Sequence, residues 1–286
     1  MNRDRAIKAI GCLTDFFVQH GILPAYKETR DELEEEEERL TQQMNRLFVG
    51  VANRMVATLR DLGFIPQDPV KRVAFVMEML GHLIEGLPRT VAEAAVRNAE
   101  AGRLIAFRDL QGFGLSVSFT TFDQWTRDRI RTKAYQFSED TARRIIGDVA
   151  ANLAKSYEEG LGIDDAAERL RNEFSTIQNH RLRTIARTEI QTAQNEGILE
   201  TLREFNAPYK QWLTARDHRV RRRPPDKADH VILHGQVVRL EERFSNGLLF
   251  PGDRLGPIEE WINCRCRIRP YIPRRGELIT ATPYYP

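Results

Sequence analysis

His230 and His234 stand four residues apart, a spacing that puts two imidazoles on one face of a helix, as in the zinc-protease frame H-E-x-x-H. Val231 follows His230 where that frame has glutamate, so no carboxylate is placed to activate a metal-bound water and protease chemistry fails. With Asp217 and His218 the two histidines leave one enzymatic alternative, a metal-dependent nuclease or hydrolase centre. Arg219, Arg221, Arg222 and Arg223 run into Pro224 and Pro225, which predicts an extended basic loop suited to phosphate or to an acidic protein face. No aromatic residues interleave to stack bases, so a solvated basic loop is an equal alternative. Phosphate-cradling G-x-x-x-x-G-K, dinucleotide-binding G-x-G-x-x-G between strand and helix, and the G-x-S-x-G elbow are all missing, and with them the common enzyme classes.

One carboxylate stands out by position. Leu182, Ala186, Ile190, Ala193 and Gly197 form an apolar stripe on a helix predicted from about residue 178 to 205, and at 100° per residue Glu189 falls at its border. A half-buried carboxylate needs a cation, and the expected partner is Arg221 or Arg265 from the segments that follow.

The elements that would position these groups follow from periodicity. The 286 residues, 41% of them hydrophobic, suffice for a real core, and the net charge of +2 does not by itself mark a nucleic-acid binder. The three cysteines, Cys12, Cys264 and Cys266, are too few and too unevenly placed for a disulfide framework and favour a reducing compartment. No window approaches the ~20 apolar residues of a membrane span. Ala6, Ile10, Leu13 and Phe17 predict a first helix, and the apolar stripe from Leu33 to Leu62 a second long one from about Lys27 to Leu62. Further helices are expected at about 70–85, 89–110, from 122, and from 138 to a stop at Gly160. GFGLSVSFTTF reads as one strand or an extended arm. Short β-branched runs then follow the 178–205 helix. The fold class is α+β: a mostly helical body at 1–160, then a small α+β module at 161–286.

Read in order, IARTEIQTAQNEG with Arg187, Thr188 and Glu189, the W-L-T-A-R-D-H-R-V-R segment from Trp212, H-V-I-L-H-G ending at Gly235, F-P-G-D, and N-C-R-C-R with Asn263 and Arg265 resemble the phage Mu F-like minor head protein family. The resemblance covers roughly the last 40% of the chain. It implies a head-morphogenesis module of a minor virion component. The implied partners are the portal protein and major head subunits, with phage DNA reached during packaging or ejection and no membrane. The implied location is the virion, with the host cytoplasm during assembly, and catalysis is not the usual role; the nuclease alternative would act on phage DNA. Trp261 departs from the family, standing in W-I-N-C-R-C where a histidine often precedes the Asn-Cys pair. Cys264, Cys266 and His230 all lie in matching segments. They are expected to meet, either sharing zinc with Asp217 or His218, or as buried cysteines beside a hydrogen-bonded histidine.

Overall fold

The computed structural model describes residues 26–216, 218–273 and 279. The predicted first helix, Cys12 and Asp217 lie outside them. The helices are α1 (Tyr26–Phe48), α2 (Val51–Leu62), α3 (Pro69–Leu80), α4 (Leu83–Gly112), α5 (Gln124–Glu158), α6 (Ile163–Thr176), α7 (Leu182–Glu204) and the single turn α8 (Ile258–Trp261). A π-helical turn at Ile177–Arg181 carries α6 into α7. Strands β1 (Tyr209–Leu213), β2 (Val237–Arg239) and β3 (Arg267–Tyr271) form one antiparallel sheet in the order β2-β1-β3, with Gln211 opposite Val237 on one side and Arg269 on the other. The α+β class is as expected.

Two local expectations are corrected. The long helix predicted through residue 62 is broken at Gly50, whose φ of 77° no helix can continue, so α1 and α2 are separate. Conversely, the helix expected from residue 89 begins at Leu83 and runs through Pro88. As the sixth residue of the helix the proline forfeits one backbone bond and crowds the carbonyl of Ile84, and burial of Leu83, Leu87 and Val91 around it holds the turn. At the end of α5 the predicted stop is present: Gly160 takes φ 67°, and Leu161 N–H closes onto the Ser156 carbonyl. The 113–122 stretch is an arm and pairs with no strand. Arg103 pins its end by donating to the Thr120 carbonyl and hydroxyl and to the Glu204 carboxylate.

The chain packs as two units, each assembled from separated segments. One comprises residues 37–94 and 127–186 and is helical, with Leu40, Met44, Met55, Leu59, Leu80, Ile145, Leu170 and Phe174 in its core. There Arg72 is held by the carbonyls of Pro66 and Gln67 at 2.8 and 2.7 Å while its guanidinium covers the Tyr157 ring. The other, among the described residues, comprises 26–36, 95–126, 187–216, 218–273 and 279 and contains the sheet. At its centre is α7 from Arg187 onward, where Thr188, Glu189, Gln191, Gln194 and Asn195 are buried polar residues. Asn195 Oδ1 accepts Ile268 N–H at 2.9 Å, and the Asn195 and Gln191 amides both donate to the Cys266 carbonyl. Side chains thereby satisfy Ile268 N–H and the Cys266 carbonyl where the outer edge of β3 begins.

Lys210 on β1 adds a buried charge to this unit. Its ammonium donates to the Leu240 carbonyl and lies 5.4 Å from the Phe244 ring centre. Burial pushes its pKa down to about 7, with Glu241 opposing. Since the unfolded chain keeps that proton to about 10.5, it binds more protons than the folded chain between these values, and stability should rise with pH across the window. Urea melts of the wild type and Lys210→Met from pH 7 to 10 check this. The wild type should gain on the variant by up to about 1.4 kcal/mol per pH unit, and parallel profiles would contradict it.

Candidate functional site

β3 begins just after the N-C-R-C segment, and this junction is where the module's marked residues converge. Asn263 sits at φ 54°, a left-handed turn that asparagine tolerates, and reverses the chain after α8. Its backbone N–H donates to the Thr188 hydroxyl at 3.0 Å, and its side-chain oxygen accepts from Arg187 at 2.6 Å. Two members of A-R-T-E thus grip the asparagine of N-C-R-C. The third, Glu189, is 1% exposed and pairs with Arg254 at 2.5 Å. The partner is neither Arg221 nor Arg265, the two expected, but an arginine from the loop before α8. Burial raises the Glu189 pKa, opposed by the charge and hydrogen bond of Arg254.

Beyond the turn the chain is extended, so Cys264 and Cys266 point to one face, both buried, with Arg265 more exposed between them. The facing ring is His230. Its Nδ1 lies 3.6 Å from the Cys264 sulfur and 3.5 Å from the Cys266 sulfur, and the three candidate ligand atoms lie within 4.8 Å of one another. On the other side His230 Nε2 meets Glu260 Oε2 at 3.1 Å, and Asn246 donates to the same oxygen at 3.0 Å. Trp212, fully buried, packs edge-on against the His230 ring at 5.5 Å and against Phe244 at 5.0 Å. Gly235, at φ 83°, returns its N–H to the Trp212 carbonyl and closes the H-x-x-L-x-G turn.

The electrostatics of the trio are those of a thiolate beside a cation. A hydrogen bond from Cys266 holds the Cys264 thiol well below its usual range, against burial and with help from His230. Burial, then the neighbouring Cys264, pushes Cys266 well above that range, while the Trp212 indole acts in the thiolate direction. Burial disfavours the charged form of His230, but Cys264 and Glu260 outweigh it and raise the pKa to about 9. Such a pair has the chemistry of a nucleophile, yet Cys264 is 3% and His230 2% exposed, so no carbonyl reaches it. The same three atoms suit a soft divalent metal ion.

The other candidate residues are elsewhere. His234 is engaged on both ring nitrogens: the Thr214 backbone N–H donates to Nδ1 at 3.0 Å, and the Arg216 guanidinium meets Nε2 at 3.0 Å. Burial, then Arg216 and Arg269, push its pKa down to about 4, so the ring is neutral. His218 is exposed. The basic loop is not extended, for Asp226 N–H returns to the Arg222 carbonyl and the Asp226 carboxylate accepts Arg222 N–H. Its four arginines divide by role. Arg221 is spent on the carbonyls of Glu260 and Ile262, Arg219 pairs with Glu34 at 3.0 Å, and Arg222 and Arg223 are exposed. Sequence reasoning missed Glu260, Asn246 and Arg254. The only signal was the acidic Glu259–Glu260 pair shortly before the cysteines.

No curated protein and no solved structure is matched by the chain. A family model described as Phage Mu protein F like protein does match, from residue 147 inside α5 to residue 269 inside β3, and so spans the segments that carry the A-R-T-E, tryptophan, histidine and N-C-R-C elements. The C-terminal part of the chain, residues 147–269, therefore matches the phage Mu F-like family, whose role at family level is phage head morphogenesis.

Proposed function

We propose that the chain is a minor head protein that joins the particle at or near the portal, with the portal protein and major head subunits as its partners. The observation that carries this is the match over residues 147–269. The way those residues are used supports a role without turnover. Arg187 and Thr188 are committed to Asn263 at the α7–β3 junction and Glu189 to Arg254 of the loop before α8, and His230 and His234, the residues a hydrolytic centre would need, are turned to different partners. Val70, Val73 and Met77, three and four residues apart on α3, are exposed and give a head or portal subunit an apolar stripe to cover. Among the described residues no helix is long and apolar enough to cross a membrane. The test is the composition of purified particles, in which this chain should be a constituent.

Contact with phage DNA during packaging or ejection is the finer part of the reading, and it falls to Arg222 and Arg223. Binding through two phosphates is weak and blind to sequence, and its log affinity falls with log salt at about −0.9 per phosphate neutralised. Duplex binding measured across a salt series should lose about two units of slope in Arg222→Ala/Arg223→Ala. Arg221→Ala should instead lower stability, because two carbonyls lose their donor. A slope unchanged by the double substitution would remove DNA from the reading.

A further inference from the structure

We propose that His230 Nδ1, Cys264 Sγ and Cys266 Sγ hold one thiophilic divalent ion of the zinc class, and that this ion is structural, stapling the stem of the basic loop to the start of β3.

The first ground is a count of lone pairs. With Nε2 directed at Glu260, His230 presents Nδ1 to two sulfurs at nearly equal distance, 3.6 and 3.5 Å. One proton bridges Nδ1 to one sulfur only. A metal ion satisfies all three atoms at once.

The second ground is size. Zinc–sulfur bonds of about 2.3 Å and zinc–nitrogen bonds of about 2.0–2.1 Å at a tetrahedral angle put nitrogen and sulfur about 3.5–3.6 Å apart and the two sulfurs about 3.8 Å apart. Both nitrogen–sulfur separations agree with that figure, and the 4.8 Å span of the three atoms accommodates the third.

The third ground is the surrounding shell. A ligating histidine characteristically donates its other N–H to a carboxylate, which fixes the ring and raises its basicity; Glu260 does this, and Asn246 orients Glu260 in turn. The Cys264 sulfur accepts the Cys266 backbone N–H at 3.4 Å, as a thiolate does. Trp212 closes the wall beside His230.

The single residue between the cysteines is no obstacle, because the extended backbone after the Asn263 turn aims both side chains the same way. Burial of all three residues assigns the ion to structure rather than catalysis. What it would tie together is specific. His230 and Val231 N–H both donate to the Arg221 carbonyl, while the Arg221 side chain reaches Glu260 and Ile262, so one ion would clamp the root of the basic loop to a segment 34 residues away in sequence.

The full chain, expressed without a histidine tag and purified under reducing conditions, should carry about one equivalent of zinc by elemental analysis. After chelation, added cobalt(II) should give thiolate-to-cobalt charge-transfer absorption that saturates at one equivalent. That absorption should be absent in Cys264→Ser and Cys266→Ser and unchanged in Cys12→Ser. Glu260→Gln should keep the absorption but bind about 10–100-fold more weakly. If a serine variant fails to fold, the wild-type cobalt titration decides. The proposal is overturned by a folded, reduced chain that carries less than a tenth of an equivalent of metal and shows no charge-transfer band with cobalt. It is equally overturned by a chain isolated with Cys264 and Cys266 joined as a disulfide that reduction does not convert to a metal-binding form.

Discussion

Gly197→Ala and Gly102→Ala should each abolish or severely reduce folded protein, although alanine is ordinarily the better helix residue. The two glycines mark the place where α7 and α4 touch backbone to backbone. A Cβ on Gly197 would lie 2.0 Å from the Ala99 carbonyl oxygen, and a Cβ on Gly102 would lie 2.0 Å from that of Gln194. Neither obstacle is a side chain that could swing aside, so the helices themselves must separate. Overpacking costs about 1–3 kcal/mol where side chains can adjust and more where they cannot, so losses above about 3 kcal/mol are expected here. α7 also carries the Gln191 and Asn195 amides that finish the edge of β3, and a displaced α7 forfeits those bonds too. Gly147 in α5 is the control: it is exposed, a Cβ there meets nothing within 4 Å, and Gly147→Ala should stabilise by about 0.5–1 kcal/mol. Urea denaturation of the three variants separates the cases, and a Gly197→Ala protein as stable as the wild type would refute the close crossing.

The second large effect belongs to Arg254. Arg254→Ala leaves the Glu189 carboxylate buried without its cation, a situation that costs about 3–5 kcal/mol, whereas replacing both partners by apolar residues costs far less. The loss should depend on pH. Glu189 already has a pKa raised by burial, and the variant removes the charge and hydrogen bond that restrain it, so the folded state binds a proton more readily than the unfolded one above the ordinary value of 4.5. Stability of the variant then falls as pH rises through that window, and its deficit against the wild type should shrink toward pH 5. Melts of Arg254→Ala and Glu189→Leu/Arg254→Leu at pH 5 and 7.5 check both statements. A pH-independent deficit, or a double variant as damaged as the single, would show that the pair is not the source.

How much of this was legible depends on whether the signal was local. Helical stripes, the Gly160 stop and the change to short strands are properties of neighbouring residues, and they appear in the fold where periodicity placed them. The Gly50 break was misread because a left-handed glycine interrupts an apolar stripe that itself continues, and the helix through Pro88 because a buried flank holds the turn around the proline. Glu189 shows the same boundary at the site. Its place beside an apolar stripe announced a buried carboxylate in need of an arginine, but which arginine depends on how the 240–257 loop folds, and no spacing encodes that. His230, Cys264 and Cys266 were brought together through the family resemblance, whereas Glu260 behind the histidine came only with the coordinates.

The central claim is that this chain is a built-in component of a phage head. Quantitative mass spectrometry of purified procapsids and mature particles, counted against the portal and the major head subunit, tests it most directly. The expected result is the chain in both preparations at a fixed ratio of a few copies per portal. Particles complete in portal and head subunits that contain none of it at either stage would contradict the claim.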